Sequence, residues 1–243
     1  MKDIGYYSSL TGIELTAVQL DMFAVYKDIL LEYNSKMNLT RITGSEEIEL
    51  KHFTDSVIIL PMLKASMETN SGILKIADVG TGAGFPGIPL KIAEPSFDLT
   101  LIDSLRKRVE FLDAVITRLA LGNTKAMHLR AEDAGRDKAL RESFDIVTAR
   151  AVAPLDELCE YCLPLVRQGG IFAAMKTGLN DELEQAGFAM KTLGGSLEQV
   201  SEYYLPETDI FRSLVIIRKT VPTPGRYPRK AGKPSSDPLR GGK

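Results

Sequence analysis

The chain has 243 residues, of which 44% are hydrophobic, and a formal net charge of −2 at pH 7. This length and apolar content can bury a sizeable core, which excludes a disordered chain and suits one α/β domain with additions. No apolar run reaches the ~18 residues of a membrane span, and the N-terminus lacks the apolar core of a signal peptide, so we expect a cytoplasmic protein with no membrane partner.

The pattern of apolar residues divides the chain into three parts. Residues 14–34 and 46–63 have apolar side chains at helical spacing, so residues 1–70 are predicted to form a helical cap packed on the core. Over residues 71–219, short apolar runs alternate with amphipathic stretches, which predicts an α/β fold with a doubly wound, mostly parallel seven-stranded sheet. The predicted strands lie in "ILKIADV", "DLTLID", "TKAMHLRAED", "FDIVTARA", "GIFAAMK", "SLEQVSEYYLP" and "RSLVIIRK".

Two details of this core bear on its class. The last two strands follow each other without a helix, which predicts an antiparallel hairpin at one edge, as in the main class of methyltransferases. The fourth strand is followed by a predicted helix that begins near Pro154 and ends at Gly169-Gly170.

The C-terminal segment, residues 220–243, is rich in proline and has no apolar periodicity, so we expect an extended arm docked through Tyr227. Residues 218–243 carry eight basic side chains against Asp237 alone. A basic tail on an acidic body favours a polyanionic partner, and a solvated tail that aids solubility is the alternative.

Cys159 and Cys162 have a C-x-x-C spacing inside an amphipathic run. A redox pair belongs at the start of a helix, and a metal site needs two more ligands, whereas His52 and His128 are remote in sequence. We therefore predict packing thiols and no metal site.

A glycine-rich stretch, "IADVGTGAGFPGIPL", lies between the first predicted strand and a helix. Glycines there let a ligand touch the main chain, and the start of the helix offers free N–H groups. Two spacings overlap: Gly82-x-Gly84-x-x-Gly87 fits a dinucleotide fingerprint, and Asp78-x-Gly80-x-Gly82-x-Gly84 fits the first loop of methyltransferases that use S-adenosylmethionine.

Acidic residues near the predicted strand ends bear on this choice. Asp78 would repel a pyrophosphate but suits the ammonium and sulfonium of S-adenosylmethionine, unless it caps the loop. Asp103 follows about 20 residues later, where an acid accepts ribose hydroxyls of either cofactor. Glu132 and Asp133 follow the third strand, where they either contact the adenine or belong to a solvated loop.

Several ordered motifs resemble the RsmG family, also called glucose-inhibited division protein B: "YNSKMNLTRIT", "KHFTDSV", "ADVGTGAGFPGIPL", "LIDSLRKRVEFL", "FDIVTARAVAPL" and "AMKTG". The resemblance runs from about residue 14 to 219, and the tail "GRYPRKAGKPSSDPL" resembles the extension of members from Gram-positive bacteria. It implies a class I, Rossmann-like methyltransferase that uses S-adenosylmethionine to methylate N7 of a guanine in 16S rRNA near the decoding site. The residues implied to hold the cofactor are Gly80, Phe85, Asp103, Ser104, Leu105, Ala131, Glu132 and Arg150.

The predicted chemistry needs few catalytic groups, because guanine N7 has a free lone pair and no proton has to leave before attack. Arg150 follows the fourth strand and is predicted to act on the guanine O6, on a phosphate or on the cofactor pocket, with a salt bridge as the alternative. Lys176 ends the fifth strand and is predicted to contact RNA phosphate, or is simply exposed. Arg41, Lys51 and His52 are further candidates for phosphate contacts.

The expected partner is 16S rRNA or the small ribosomal subunit, and we expect a monomer. Two other functions remain open on the sequence. The dinucleotide spacing fits an NAD-dependent oxidoreductase, and the basic tail fits a non-catalytic rRNA-binding assembly factor.

Overall fold

The computed structural model describes residues 2–67, 72–150 and 153–241. One seven-stranded sheet forms its centre, made of β1 (Lys75–Val79), β2 (Asp98–Asp103), β3 (Thr124–His128), β4 (Phe144–Arg150), β5 (Val166–Lys176), β6 (Gly195–Tyr204) and β7 (Phe211–Lys219). The strand order is β3-β2-β1-β4-β5-β7-β6. The first five strands pair in parallel, and β7 runs antiparallel to both β5 and β6. The predicted doubly wound sheet with an antiparallel edge hairpin is confirmed.

The helices that cover the sheet come from both ends of the chain. They are α1 (Ile4–Ser9), α2 (Ala17–Met37), α3 (Ser45–Ile48), α4 (Asp55–Val57), α5 (Leu60–Ser66), α6 (Gly87–Ala93), α7 (Arg106–Arg118), α8 (Ala131–Ala134), α9 (Leu155–Cys162), α10 (Glu182–Thr192) and α11 (Lys233–Ser236), with a π-helical turn at Glu49–Thr54. No helix within the described ranges is both long enough and apolar enough to cross a membrane.

Apolar side chains pack on both faces of the sheet, because neighbouring residues of a strand point to opposite faces. Ile76 and Ile146 belong to one apolar cluster, and the adjacent Ala77 and Val147 belong to the other. The first cluster also contains Tyr26 and other buried residues of the N-terminal helices. These helices therefore share a hydrophobic core with the sheet.

Two predicted helix boundaries differ from the structure. The helix expected to end at Gly169-Gly170 ends at Cys162, because Pro164 lacks an N–H to continue it. The ammonium of buried Lys219 then binds the Leu163 carbonyl at 2.6 Å. The single helix expected over residues 46–63 is interrupted by the π-helical turn, a feature that occurs often at functional sites.

Cys159 and Cys162 are free thiols, buried on α9 among apolar side chains. Burial raises the pKa of both thiols, so they remain protonated. This is the packing role predicted for them.

The C-terminal arm, residues 220–241, is docked on α8 and α9 rather than free. Tyr227 is buried, as predicted. Arg229 binds Glu160 through its backbone N–H at 2.7 Å and through guanidinium hydrogen bonds of 2.7–3.1 Å, and Arg240 binds Asp156 at 2.7 Å. Both carboxylates are buried, so the two arginines neutralise acids of the core. The charges of these two arginines are thus paired within the protein, whereas the sequence left them to a polyanionic partner or to solvent.

We expect Arg229→Met to lower the free energy of unfolding by about 3 kcal/mol, because it leaves the buried Glu160 carboxylate with the backbone N–H of residue 229 but without its cationic partner. Urea denaturation measures the loss. The matched control is Arg226→Met, since Arg226 is exposed and stacks on Tyr227. Equal stability of the two variants would contradict a structural role for the Arg229 ion pair.

Candidate active site

A cleft of about 420 Å³ lies at the carboxyl ends of β1, β2 and β4. This is the switch point of the sheet, where the strand order reverses between β1 and β4 and where α/β proteins bind ligands. Its wall brings together six residues that the sequence predicted: Gly80, Gly82, Phe85, Asp103, Ser104 and Arg150. Thr40 and His52 join them from the N-terminal region.

The glycines of the loop have different roles. Gly80, Gly82 and Gly84 have φ angles of 67°, 60° and 94°, which other residues rarely adopt. A Cβ atom added to Gly84 would lie 2.7 Å from the Tyr26 hydroxyl, so this glycine allows close packing of α2. A Cβ atom added to Gly82 would meet no atom within 4 Å. Gly80 and Gly82 line the cleft, whereas Gly84 lies behind it, against Tyr26.

Asp78 holds the loop in shape from below. Its side chain is fully buried and accepts hydrogen bonds from the Thr81 hydroxyl at 2.6 Å and the Gly87 N–H at 2.9 Å. Burial raises the pKa of Asp78 to about 6. The structure thus places Asp78 as a loop cap, the alternative reading of the sequence, and not on the cleft wall beside a cofactor.

Asp103 lies across the cleft from the loop and connects β2 to it. Its carboxylate accepts the Gly82 N–H and the Leu105 N–H, each at 2.9 Å. A carboxylate has about four acceptor positions, so Asp103 retains capacity for hydroxyl donors of a ligand. Leu105 is 52% exposed at the start of α7 and does not line the cleft.

Ala131 and Glu132, at the start of α8, lie outside the cleft wall. Glu132 is buried, and its carboxylate accepts the Gly232 N–H at 2.9 Å. The docked arm therefore fixes an acidic side chain that the resemblance assigns to the cofactor. The sequence could not indicate this contact, because the two residues are 100 positions apart.

His52 lies at the junction of the helical cap and the cleft. Arg150 Nη2 donates to His52 Nδ1 at 3.2 Å, since a guanidinium has no acceptor. The ring proton is therefore on Nε2, which donates to the Thr40 hydroxyl at 2.8 Å. Burial, followed by the charge of Arg150, lowers the pKa of His52 to about 3. A buried neutral imidazole does not suit the phosphate contact predicted for it.

Phe85 completes this layer of side chains. The His52 ring stacks on Phe85 with centroids 4.4 Å apart, and the Arg150 guanidinium carbon lies 4.9 Å from the Phe85 centroid. The motifs "NLTRIT" and "KHFTDSV" contained Thr40 and His52. These two motifs marked Thr40 and His52 as candidates, but the spacing of the motifs could not show that both residues reach the glycine loop.

Arg150 also contacts a carboxylate, and this is the salt bridge predicted from the sequence as its alternative role. Its Nη1 lies 3.4 Å from Asp55, which Arg212 binds more closely at 3.1 Å. Burial raises the pKa of Asp55, although both guanidinium groups favour its charged form. Arg150 is thus held in place by His52 and Asp55 and still lines the cleft.

Lys176 is engaged within the protein. Its ammonium lies 2.7 Å from the Glu182 carboxylate and donates to the Ala153 carbonyl at 3.0 Å. These contacts hold the backbone at Ala153 and leave the ammonium paired rather than free for a phosphate. Across residues 2–67, 72–150 and 153–241, no group of three or more potential metal ligands is assembled.

The buried neutral His52 predicts a pH-dependent stability. Its folded pKa lies below the unfolded value of 6.5, so its contribution is present above pH 6.5 and is lost as the pH falls toward 3. Between about pH 7 and pH 5, the wild type should lose about 2 kcal/mol more unfolding free energy than His52→Gln. Urea denaturation at both pH values tests this, and equal losses would mean that His52 is not held neutral.

Sequence comparison identifies the relatives of the chain. The family model described as rRNA small subunit methyltransferase G matches residues 19–210. A ribosomal RNA small subunit methyltransferase G of Acetivibrio thermocellus is 50% identical over 94% of this chain and 92% of its own length. The protein of that name from Bacillus velezensis is 46% identical over 97% of this chain and 98% of its own.

Solved structures share the fold at low sequence identity. An S-adenosylmethionine-dependent methyltransferase of Aquifex aeolicus has a TM-score of 0.51 and 17% identity, covering 74% of this chain and 96% of its own. A predicted O-methyltransferase of Agrobacterium tumefaciens has a TM-score of 0.52 and 22% identity, covering 66% and 80%.

The glycine spacing had left a dinucleotide and S-adenosylmethionine as alternatives, and the family match decides for the latter. Three findings agree with a methyltransferase: the cleft at the carboxyl ends of the strands, the antiparallel edge of the sheet and the family match over most of the chain. The chain belongs to the rRNA small subunit methyltransferase G family, which has the fold of S-adenosylmethionine-dependent methyltransferases.

Proposed function

We propose that this protein transfers the methyl group of S-adenosylmethionine to N7 of one guanine in 16S rRNA near the decoding site. The single observation that carries the proposal is the charge and hydrogen bonding of the His52 imidazole, which lines the cleft. His52 is neutral, and its acceptor nitrogen already takes a hydrogen bond from Arg150. The cleft thus presents a guanidinium cation and an imidazole whose acceptor nitrogen is already hydrogen-bonded. This arrangement suits methyl transfer to an atom that loses no proton, such as guanine N7.

The cleft residues fit the cofactor. Gly80 and Gly82 let a ligand approach the main chain, and Asp103 has acceptor capacity for the ribose hydroxyls. When bound, S-adenosylmethionine supplies an electrophilic methyl group. Glu132 and Ala131 are assigned to the adenine end, with Glu132 held by the arm.

Arg150 and Lys176 are assigned different roles. Arg150 lines the cleft and carries donors that suit the guanine O6, the atom next to N7 on the same edge of the base. Lys176 acts indirectly, because its ammonium binds the Ala153 carbonyl and Glu182. It holds the backbone at Ala153 in place.

Basic side chains around the cleft suit an RNA partner. Arg41 and Arg108 line a neighbouring cavity, and Lys51 and Arg212 line another. Cations at the mouth of an active site bind phosphates without reading sequence. We place the reaction with ribosomal RNA or the small subunit in the cytoplasm, carried out by a monomer.

The direct test uses methyl-labelled S-adenosylmethionine with 16S rRNA, or small subunits, from cells that lack the enzyme. We expect label in the RNA and a single scission site after reduction and cleavage at 7-methylguanine. Asp103→Ala is the loss-of-cofactor control. Label on another base would overturn the guanine assignment, and RNA binding without any label would favour an assembly factor.

Asp103→Asn should weaken S-adenosylmethionine binding by about 10- to 100-fold, because an amide replaces an acceptor that is paired with N–H and hydroxyl donors. Isothermal titration calorimetry measures the change. Asp113→Asn, on the exposed face of α7, is the matched control and should bind like the wild type. Equal affinity of the two variants would show that Asp103 does not hold the ribose.

A further inference from the structure

A second cavity, of about 230 Å³, adjoins the cofactor cleft. His52 and Arg150 line both spaces, so one layer of side chains separates them. The volume is several times that of a water molecule, which occupies about 30 Å³ in the liquid, and is sufficient for a planar ring system. We call this cavity the base pocket.

The walls of the base pocket combine apolar surface with cations. Ile42 lines it from the loop between α2 and α3, and Met175 lines it from near the end of β5, in register with Arg150 on β4. An aliphatic side chain and a thioether suit the face of an aromatic ring. Arg212 and Lys51 add positive charge. Apolar walls with cations are typical of a nucleobase site and not of a site for a small anion.

The charges in the base pocket do not balance. Asp55 is shared by two guanidinium groups, Arg150 and Arg212, and His52 is neutral. The ammonium groups of Lys51 and Lys176, which also line the pocket, pair with Glu47 at 2.5 Å and Glu182 at 2.7 Å. One guanidinium charge is therefore left over. The bonds that Arg150 Nη1 makes to Asp55 and to the Lys51 carbonyl are both 3.4 Å long, beyond the usual 2.7–3.2 Å. Arg150 therefore has donor capacity to spare for a ligand acceptor.

This combination distinguishes between purines. Guanine presents two acceptors, O6 and N7, on one edge, whereas adenine presents an N6 amino donor in place of O6. A guanidinium with donors to spare can donate to the O6 of guanine, but it would meet the N6 amino donor of adenine. Because Arg150 lies on the shared wall, a guanine O6 bonded to it brings the neighbouring N7 to the wall of the cofactor cleft.

We propose that the base pocket receives the target guanine, with its rings between Ile42 and Met175 and its O6 on Arg150. The inference rests on the proposed function and names the substrate subsite of that function. Asp55 and Arg212 act as positioning residues that hold Arg150 at the shared wall.

A binding experiment tests the pocket without any methyl transfer. The protein is labelled at its methionine methyl groups, saturated with S-adenosylhomocysteine and titrated with guanosine monophosphate, and Met175→Leu assigns the Met175 signal. We expect guanosine monophosphate to shift the Met175 signal at lower concentration than adenosine monophosphate does. The Met67 signal, from a cavity elsewhere, should not move. No shift of Met175, or an equal response to both nucleotides, would overturn the proposal.

A blocking variant tests the pocket in the reaction. Ile42→Trp fills the base pocket and should lower the methyl-transfer rate at saturating cofactor by about 100-fold. Its affinity for S-adenosylmethionine should stay within about twofold of the wild type. Ile73→Trp, at an exposed residue just before the amino end of β1, the end of the strand away from the cleft, is the control and should react like the wild type. Wild-type activity of Ile42→Trp, or loss of cofactor binding, would overturn the proposal.

A second blocking variant covers the case in which Ile42→Trp is destabilised. If Ile42→Trp lowers the thermal midpoint of unfolding, Thr177→Trp on the exposed rim of the base pocket takes its place. If the wild type methylates no guanine N7, the proposed function fails by itself. A Met175 shift that requires guanosine monophosphate and disappears in the blocking variant then still supports the pocket, and its absence overturns it.

Discussion

The hydrogen bond from Arg150 to His52 joins the helical cap to the sheet, and much of the site is built around it. His52 comes from the π-helical turn, and Arg150 comes from the end of β4. Because a guanidinium only donates, the contact selects one neutral tautomer of the imidazole, and burial keeps it neutral. The same pair lines both the cleft and the neighbouring cavity, so one contact shapes both spaces.

Buried carboxylates organise the rest of the molecule. Asp78 shapes the glycine loop, Asp103 connects that loop to β2, and Glu160 binds the arm. A buried carboxylate without a partner is costly, so each one fixes the backbone N–H or guanidinium that satisfies it. The basic residues of the arm are used in part for this purpose. The arm therefore belongs to the folded body of the protein, since one of its N–H groups also binds the buried Glu132 carboxylate.

Much of the fold was predictable, because strand and helix periodicity are local properties of the chain. The strand "DLTLID" coincides with β2, and the final antiparallel hairpin follows from two strands without a helix between them. The π-helical turn and the early end of α9 were not predictable from periodicity. The π-helical turn keeps the apolar pattern of a regular helix. The early end of α9 depends on Pro164 and on the distant Lys219, which binds the Leu163 carbonyl.

The sequence by itself determined the fold class, the glycine loop and the family resemblance, since these depend on residue order and on backbone conformations that glycine allows. Only the tertiary structure decided which of the candidate side chains line the cleft and which hold the scaffold. Asp78 turned out to cap a loop, Lys176 to bind Glu182, and His52 to be neutral. The physical reason is that charge state and hydrogen bonding depend on burial and on partners far along the chain, such as Arg150, which is 98 positions from His52.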